Sequence, residues 1–547
     1  MDSKRLLLLC IIQGLLCSVG YSANLDYYTA GVVEFRQSIL GLDAWSENLE
    51  AYVEIIHSAN ASATDIIVFP ESTLNALGST TFVPSPEDGI NPCLNGTHYE
   101  EFLVTLSCAA RNSSKYIVIN LTEKQKCEDT PDDPRPCASN GLNIFNTNVV
   151  FDRQGVVVSR YRKVHLYAES KNLTYRPELV TFETDFGVTF GQFICFDILF
   201  YTPAHQLIVE QGITDFVYPT MWFSQLPFLT EILILFPFPA VQIQQGWAYA
   251  QNVNLLAAGA SRPSVGSTGT GIFHGRQGTL TSVMKHDNGE RAIYVAQVPK
   301  ITRRGRRSLQ ESRQTAASTN FYMMRDALEI YQTQLLQLDV GTNGSSSGQI
   351  CQGSFCCNYE VAWRERESPV NAKFYSYRVG VYDGVRQDQN VDANYIRNCG
   401  LFACLGPAIE ECGLLPEEGV YPQSPVIFTQ LVIKVTYPES REFLLIPDTL
   451  RDNLMPLEPS QFEWLQEQSS KESYHHEVSF SLAETQELDN LLTFAVYGNY
   501  YDNQCTFGVG TEQEQLACGY KGGSSSLRSL GLWLTLMPLI LLGLRSR

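Results

Sequence analysis

The chain has 547 residues, 44% of them hydrophobic, with 39 basic against 58 acidic side chains and a formal net charge of −19. That length exceeds what one hydrophobic core usually organises, so two domains with short terminal appendages are expected. Charge of that sign repels phosphate backbones and anionic membrane surfaces, which excludes nucleic acid as a natural partner.

In chain order, Lys4 and Arg5 precede an apolar run over residues 6–16, and small residues at Ser18, Gly20 and Ser22 offer a cleavage site. This pattern reads as a secretory signal over residues 1–22, since a membrane anchor needs about 20 apolar residues. Residues 27–35 read as a strand, residues 44–58 as a helix behind Asp43 as N-cap, and residues 65–71 as a short buried strand closed by Pro70. Strands follow at 115–121, 143–151, 155–163 and 188–195. Helices at 204–211 and 240–252 then interleave with strands at 215–218 and 255–260. Strands alternating with helices imply an α/β sandwich over residues 23–300.

Residues 301–320 are basic, polar and without periodicity, as an interdomain linker would be. Arg303, Arg304, Arg306 and Arg307 could instead mark a processing site. Beyond it, strands at 374–382, 426–437 and 491–498 make residues 321–520 a mainly β domain with no catalytic constellation. His475 and His476 beside Glu477 read as a solvated pair, because neighbours on a strand face opposite ways. In residues 521–547, Gly522, Gly523 and Ser524 lead through a polar spacer to an apolar run over 530–544. That order resembles a glycosylphosphatidylinositol attachment signal, since 15 residues interrupted by Pro538 are short for a transmembrane helix.

Sequons at Asn60, Asn95, Asn112, Asn120, Asn172 and Asn343 suit a chain that crosses the secretory pathway. Of 15 cysteines, Cys10 and Cys17 leave with the signal, so 13 remain and one is unpaired. Cys93, Cys108, Cys127 and Cys137 suffice for two bridges. Cys351, Cys356, Cys357, Cys399, Cys404, Cys412, Cys505 and Cys518 suffice for four. Zinc is the rival, but Cys-x-x-Cys pairs with matched histidines are absent. Cys195, alone after its strand, is left as the free thiol.

Three expected strand ends carry reactive side chains: Glu71, Lys163 and Cys195. In an α/β architecture such ends converge across long sequence separations. A thiol, a carboxylate and an ammonium together suffice for amide hydrolysis: the carboxylate takes the thiol proton, the sulfur attacks, and the ammonium meets charge developing on oxygen. The rival is a Cys–His pair with His205, but the papain-type signature and a Gly-x-Ser-x-Gly elbow are both missing, and His205 reads as a helix surface residue. Singly, Glu71 reads as a satisfied turn carboxylate and Lys163 as an exposed strand end.

Together, FPES (69–72), YRKVHLY (161–167) and FICFDILF (193–200) resemble the Glu-Lys-Cys triad of the nitrilase superfamily. The segments LVTFETDFG, YPTMWFSQLPFL, NLLAAGAS, GSTGTGIF and SFCCNY narrow the resemblance to its vanin and biotinidase branch. That resemblance implies a four-layer αββα sandwich followed by a smaller β-rich base domain. It implies Glu71 as general base and acid, Lys163 as transition-state stabiliser, Cys195 as acylated nucleophile and the Phe196 backbone N–H as second oxyanion donor. Glu169 is a candidate supporting carboxylate whose spacing does not fix the match. Trp222 and Phe223 are candidates for an acyl-pocket wall, with core packing as the alternative. Metal, nucleotide and redox cofactors are not called for. The partner expected is a small amide: pantetheine foremost, because the anchor signal resembles membrane-tethered vanins, with biotin amides as the alternative. A retired fold serving adhesion would be expected to have lost a triad member.

Overall fold

A computed structural model describes residues 26–39, 44–75, 79–223, 225–228, 240–301, 323–367, 372–386, 391–417, 420–469 and 475–505. The signal segment, the linker from residue 302 onward and the anchor signal with Gly522, Gly523 and Ser524 lie outside them.

Period-two alternation organises the first domain. In the strand Tyr27–Phe35, Tyr28, Ala30 and Val32 face one way and Val33 and Phe35 the other, and all five are buried. A strand buried on both faces must be covered on both. It lies in a six-stranded sheet ordered Arg291–Pro299, Tyr27–Phe35, Ile66–Val68, Tyr116–Lys126, Leu142–Phe151, Val157–Arg162. A second six-stranded sheet runs Thr279–Val283, Thr270–His274, Asn254–Gly259, Asp215–Thr220, Thr189–Gln192, Thr181–Glu183. Both are parallel at their centres and antiparallel toward their edges.

Between the sheets pack Tyr28, Val32, Val118, Phe190, Val217 and Leu256. Outside the first sheet, Val33, Phe35 and Ile67 meet the helices Ala44–His57 and Glu101–Ser113 through Tyr52, Ile56, Phe102 and Leu106. Outside the second, Phe193, Phe216 and Tyr218 meet the helix Ala240–Gln251 through Trp247. The result is the expected four-layer αββα sandwich. The helix Glu101–Ser113 escaped the sequence reading.

The second domain is a β-sandwich of two five-stranded antiparallel sheets. One runs Gln332–Leu336, Ser376–Arg386, Ala393–Cys404, Leu491–Cys505, Phe443–Arg451. The other runs Gly344–Gln352, Phe355–Glu365, Val426–Pro438, His475–Leu482, Phe462–Ser469. Its bridges are Cys351–Cys356, Cys404–Cys412 and Cys357–Cys399, the last joining the two sheets. The first domain carries Cys93–Cys108 and Cys127–Cys137. Among the described residues the free cysteine is Cys195. The Cys505 side chain and Cys518 lie outside them.

The domains dock through the helix Ala240–Gln251, which lies on the strand Phe443–Arg451. Gln242 contacts the buried Asp448, and Gln245 Nε2 donates to the Leu457 carbonyl at 2.6 Å. Gly246 permits this approach: a Cβ there would stand 2.5 Å from Ile446 Cγ2 and 2.8 Å from the Pro447 carbonyl oxygen. Glycine in a helix interior ordinarily costs about 1 kcal/mol relative to alanine. Overpacking against backbone costs about 1–3 kcal/mol. Gly246→Ala should therefore lower the unfolding midpoint in denaturant, where an open helical site would raise it. An unchanged or raised midpoint would contradict this packing.

Candidate active site

Lys163 follows directly on the strand Val157–Arg162, and alternation separates it from its neighbour. Arg162 turns to Glu123, at 2.5 Å, on one face of the sheet. On the other, Lys163 is 98% buried and its Nζ lies 2.7 Å from Glu71 Oε1 and 2.6 Å from Glu169 Oε1. The adjacent strand repeats the division: Thr147 reaches Glu123, whereas Asn146 Nδ2 donates to Glu71 Oε1 and Glu169 Oε2, both at 2.7 Å.

Glu71 lies three residues past the strand Ile66–Val68, beyond Pro70. Its second oxygen accepts the Met221 N–H at 2.8 Å. Ser72, at φ 53°, turns the chain and anchors its own N–H on Asn120 Oδ1 at 2.9 Å.

Cys195 departs from the sequence expectation of a strand running through it. The strand stops at Gln192, and Cys195, at φ 47°, opens a 3-10 turn over Cys195–Leu199. Left-handed backbone at a non-glycine residue costs roughly 1–2 kcal/mol. The turn is held by Asp197, whose Oδ2 accepts the Ile194 N–H at 2.9 Å and the Tyr161 hydroxyl at 2.7 Å, and by Tyr218, whose hydroxyl donates to the Cys195 carbonyl at 2.9 Å. The thiol lies within the electrostatic reach of Glu71 and Lys163 and is influenced by Thr220. Among the described residues the Phe196 N–H has no acceptor.

Electrostatics follow from burial. Desolvation raises the Cys195 thiol well above its ordinary range, the negative charge of Glu71 adds to this, and Lys163 opposes both. Burial works against the Lys163 charge, but Glu169 and Glu71 outweigh it and hold the ammonium charged. Burial likewise works against the Glu169 carboxylate, yet Lys163 and Lys171 together pull its pKa down to about 2. Neutral thiol, charged lysine and ionised Glu169 are thus the resting forms at neutral pH.

The structure therefore brings Glu71, Lys163, Glu169 and Cys195 together. Trp222 is buried and Phe223 partly buried against the apolar cluster that includes Cys195 and Phe196. His205 is corrected: it is buried rather than on a helix surface, with its Nδ1 2.5 Å from Gln251 Nε2, its ring against Tyr501 and its pKa lowered to about 4 by burial. Asn60, Asn95, Asn112, Asn172 and Asn343 are exposed. Asn120 is not: its amide is buried and donates to Asn146 at 2.7 Å and Asn148 at 3.1 Å, so that sequon cannot carry a glycan in this fold. Asn146, Tyr218, Thr220 and the Met221 N–H escaped sequence reasoning. Asp197 stands two places after Cys195 in FICFDILF, but no local pattern shows the groups it binds. No group of three His, Cys, Asp or Glu among the described residues could hold a metal ion.

The carbon-nitrogen hydrolase family profile matches residues 31–258 and the vanin C-terminal domain profile residues 321–504. The chain is 70% identical to vanin-like protein 1 of Drosophila melanogaster, over 98% of this chain and 97% of that protein. It is 64% identical to vanin-like protein 2 of the same fly, over 94% and 98%. It is 31% identical to human biotinidase, over 72% of this chain and 78% of that protein. Fold and matched domain together define a carbon–nitrogen hydrolase of the nitrilase superfamily. Within that class, the chain belongs to the vanin-like family.

Because Glu71 raises the Cys195 thiol while Lys163 lowers it, Glu71→Gln should move the pH midpoint of Cys195 alkylation downward even as amide turnover is lost. Iodoacetamide labelling across pH, read by mass spectrometry, checks this. An upward shift would contradict the charge arrangement.

Proposed function

We propose that the protein hydrolyses a linear amide through a Cys195 thioester, with pantetheine cleaved to pantothenate and cysteamine as the foremost reaction. The observation that carries this reading is the convergence of a buried thiol, a lysine and a carboxylate, with Glu71 2.7 Å from Lys163 and its charge acting on the Cys195 thiol. Glu71 takes the thiol proton as sulfur attacks the amide carbon, so no free buried thiolate has to exist beforehand. Lys163 and the Phe196 N–H meet the charge that develops on the carbonyl oxygen. As the tetrahedral intermediate collapses, Glu71 returns the proton to the departing amine. It then takes a proton from water, which attacks the thioester and releases the acid and the free thiol.

Glu169 and Asn146 act as supports. Glu169 offsets the Lys163 charge without competing for the thiol proton, since its carboxyl ionises near pH 2. Trp222 and Phe223 serve as an apolar wall for the acyl group. Pantetheine leads over biotin amides because the anchor signal resembles that of membrane-tethered vanins. The terminal signals support a secreted, glycosylated, lipid-anchored cell-surface enzyme with glycans on the five exposed sequons.

One experiment addresses substrate and anchor. Intact cells expressing the full chain are treated with phosphatidylinositol-specific phospholipase C, and the released protein is assayed on pantetheine and biocytin. Released protein should cleave pantetheine with the larger kcat/KM. Retention on the cells would contradict the anchor, and preference for biocytin would contradict the substrate.

A further inference from the structure

The second domain reaches the catalytic centre at three places. Asp392, just before the strand Ala393–Cys404, contacts Nδ1 of His165. Asn499 Nδ2, on the strand Leu491–Cys505, donates to the Leu199 carbonyl at 2.7 Å, at the end of the nucleophile turn. The Arg386 guanidinium, closing the strand Ser376–Arg386, lies 5.5 Å over the ring of Phe196, the residue after the nucleophile.

His165 gives the first contact its consequence. It stands two residues after Lys163, and its backbone N–H donates to Asp197 Oδ1 at 2.8 Å. The other oxygen of Asp197 holds Ile194 and Tyr161. One buried carboxylate thereby joins the turn that carries the thiol to the segment that carries the ammonium. The His165 ring is fixed on three sides: Nε2 lies 2.9 Å from the Thr202 carbonyl, Nδ1 faces Asp392, and the ring stacks on Phe200 at 3.8 Å and 12°. Phe200 in turn meets Phe196 edge-on at 5.0 Å, beneath Arg386. Both ring nitrogens face oxygens, and the second domain supplies one of them through Asp392.

We infer that Asp392 of the second domain is a positioning residue for amide hydrolysis, setting Lys163 against Cys195 through His165 and Asp197. The second domain is then part of the catalytic apparatus, although it contributes no reacting group. Apart from taking Cys195 as nucleophile, this inference does not rest on which amide is cleaved. Misplacing reacting groups by about 1 Å costs about 100-fold in rate.

The test compares Asp392→Asn and Asp392→Ala with the full wild-type chain. The measurements are kcat and KM on whichever of pantetheine and biocytin the wild type turns over, the unfolding midpoint, and the pH midpoint of Cys195 alkylation. Asp392→Ala should lower kcat about 10- to 100-fold with KM within about twofold. Asp392→Asn, which keeps shape and an acceptor oxygen, should recover part of that loss. The alkylation midpoint should rise in Asp392→Ala, because Lys163 is less firmly held against the sulfur. If Asp392→Ala fails to fold, the folded Asp392→Asn protein decides by the same kcat and alkylation criteria. Wild-type kcat in a folded variant, or a loss that only follows the folded fraction, would overturn the inference. A wild type inactive on both amides would instead count against the proposed function, and the alkylation midpoint would still decide this one.

Discussion

A buried ammonium between two carboxylates governs the first domain. Removing Lys163 from water costs several kcal/mol, recovered only where opposite charge and hydrogen bonds close around it. Glu71 and Glu169 supply the charge, and Asn146 bridges the two, donating to the Glu71 oxygen that also faces Lys163 and to the far oxygen of Glu169. Each of these side chains then has a fixed place. Glu71 cannot leave Lys163 without stranding a charge, so it stays where the thiol can reach it. The same field, combined with burial, keeps the thiol neutral until a substrate carbonyl is present to receive the sulfur. In the proposed mechanism, proton transfer and attack are therefore coupled by desolvation rather than by a pre-formed thiolate.

Backbone strain gathers around this cluster. Non-glycine residues at positive φ include Ser72, Ala168 and Cys195, which immediately follow Glu71, precede Glu169 and carry the nucleophile. Such conformations cost of order 1–3 kcal/mol each and persist only where the surroundings over-determine them. Here the surroundings are two sheets packed face to face, the Asn120 anchor on Ser72 and the Asp197 anchor on the nucleophile turn. The outer β-sandwich adds to that restraint through Asn499 and Asp392.

Glu71, Lys163 and Cys195 were legible because each closes an expected strand segment, and cysteine parity singled out Cys195. The supports were not, because each is a pairing across many residues: Asn146 with Glu71, Tyr218 with Cys195, Asp392 with His165. No local pattern encodes such partners. His205 looked like a surface residue because a short helical stretch does not reveal that Tyr501 of another domain will cover it. Asn120 matched a sequon, yet it lies in a strand whose residues are buried on both faces, and that apolar run was the signal against a glycan. Strand cores were read well and their ends less so: Phe193 and Ile194 continue the strand pattern up to Cys195, and only the Asp197 contacts show where extended backbone gives way to the turn.

The most direct measurement of the account is to quench wild-type enzyme rapidly during turnover of pantetheine and map the adduct by mass spectrometry. A pantothenoyl thioester is expected on Cys195, in the peptide containing FICFDILF, and should disappear as substrate is exhausted. An acyl group on any other residue, or full turnover by Cys195→Ser protein, would contradict it.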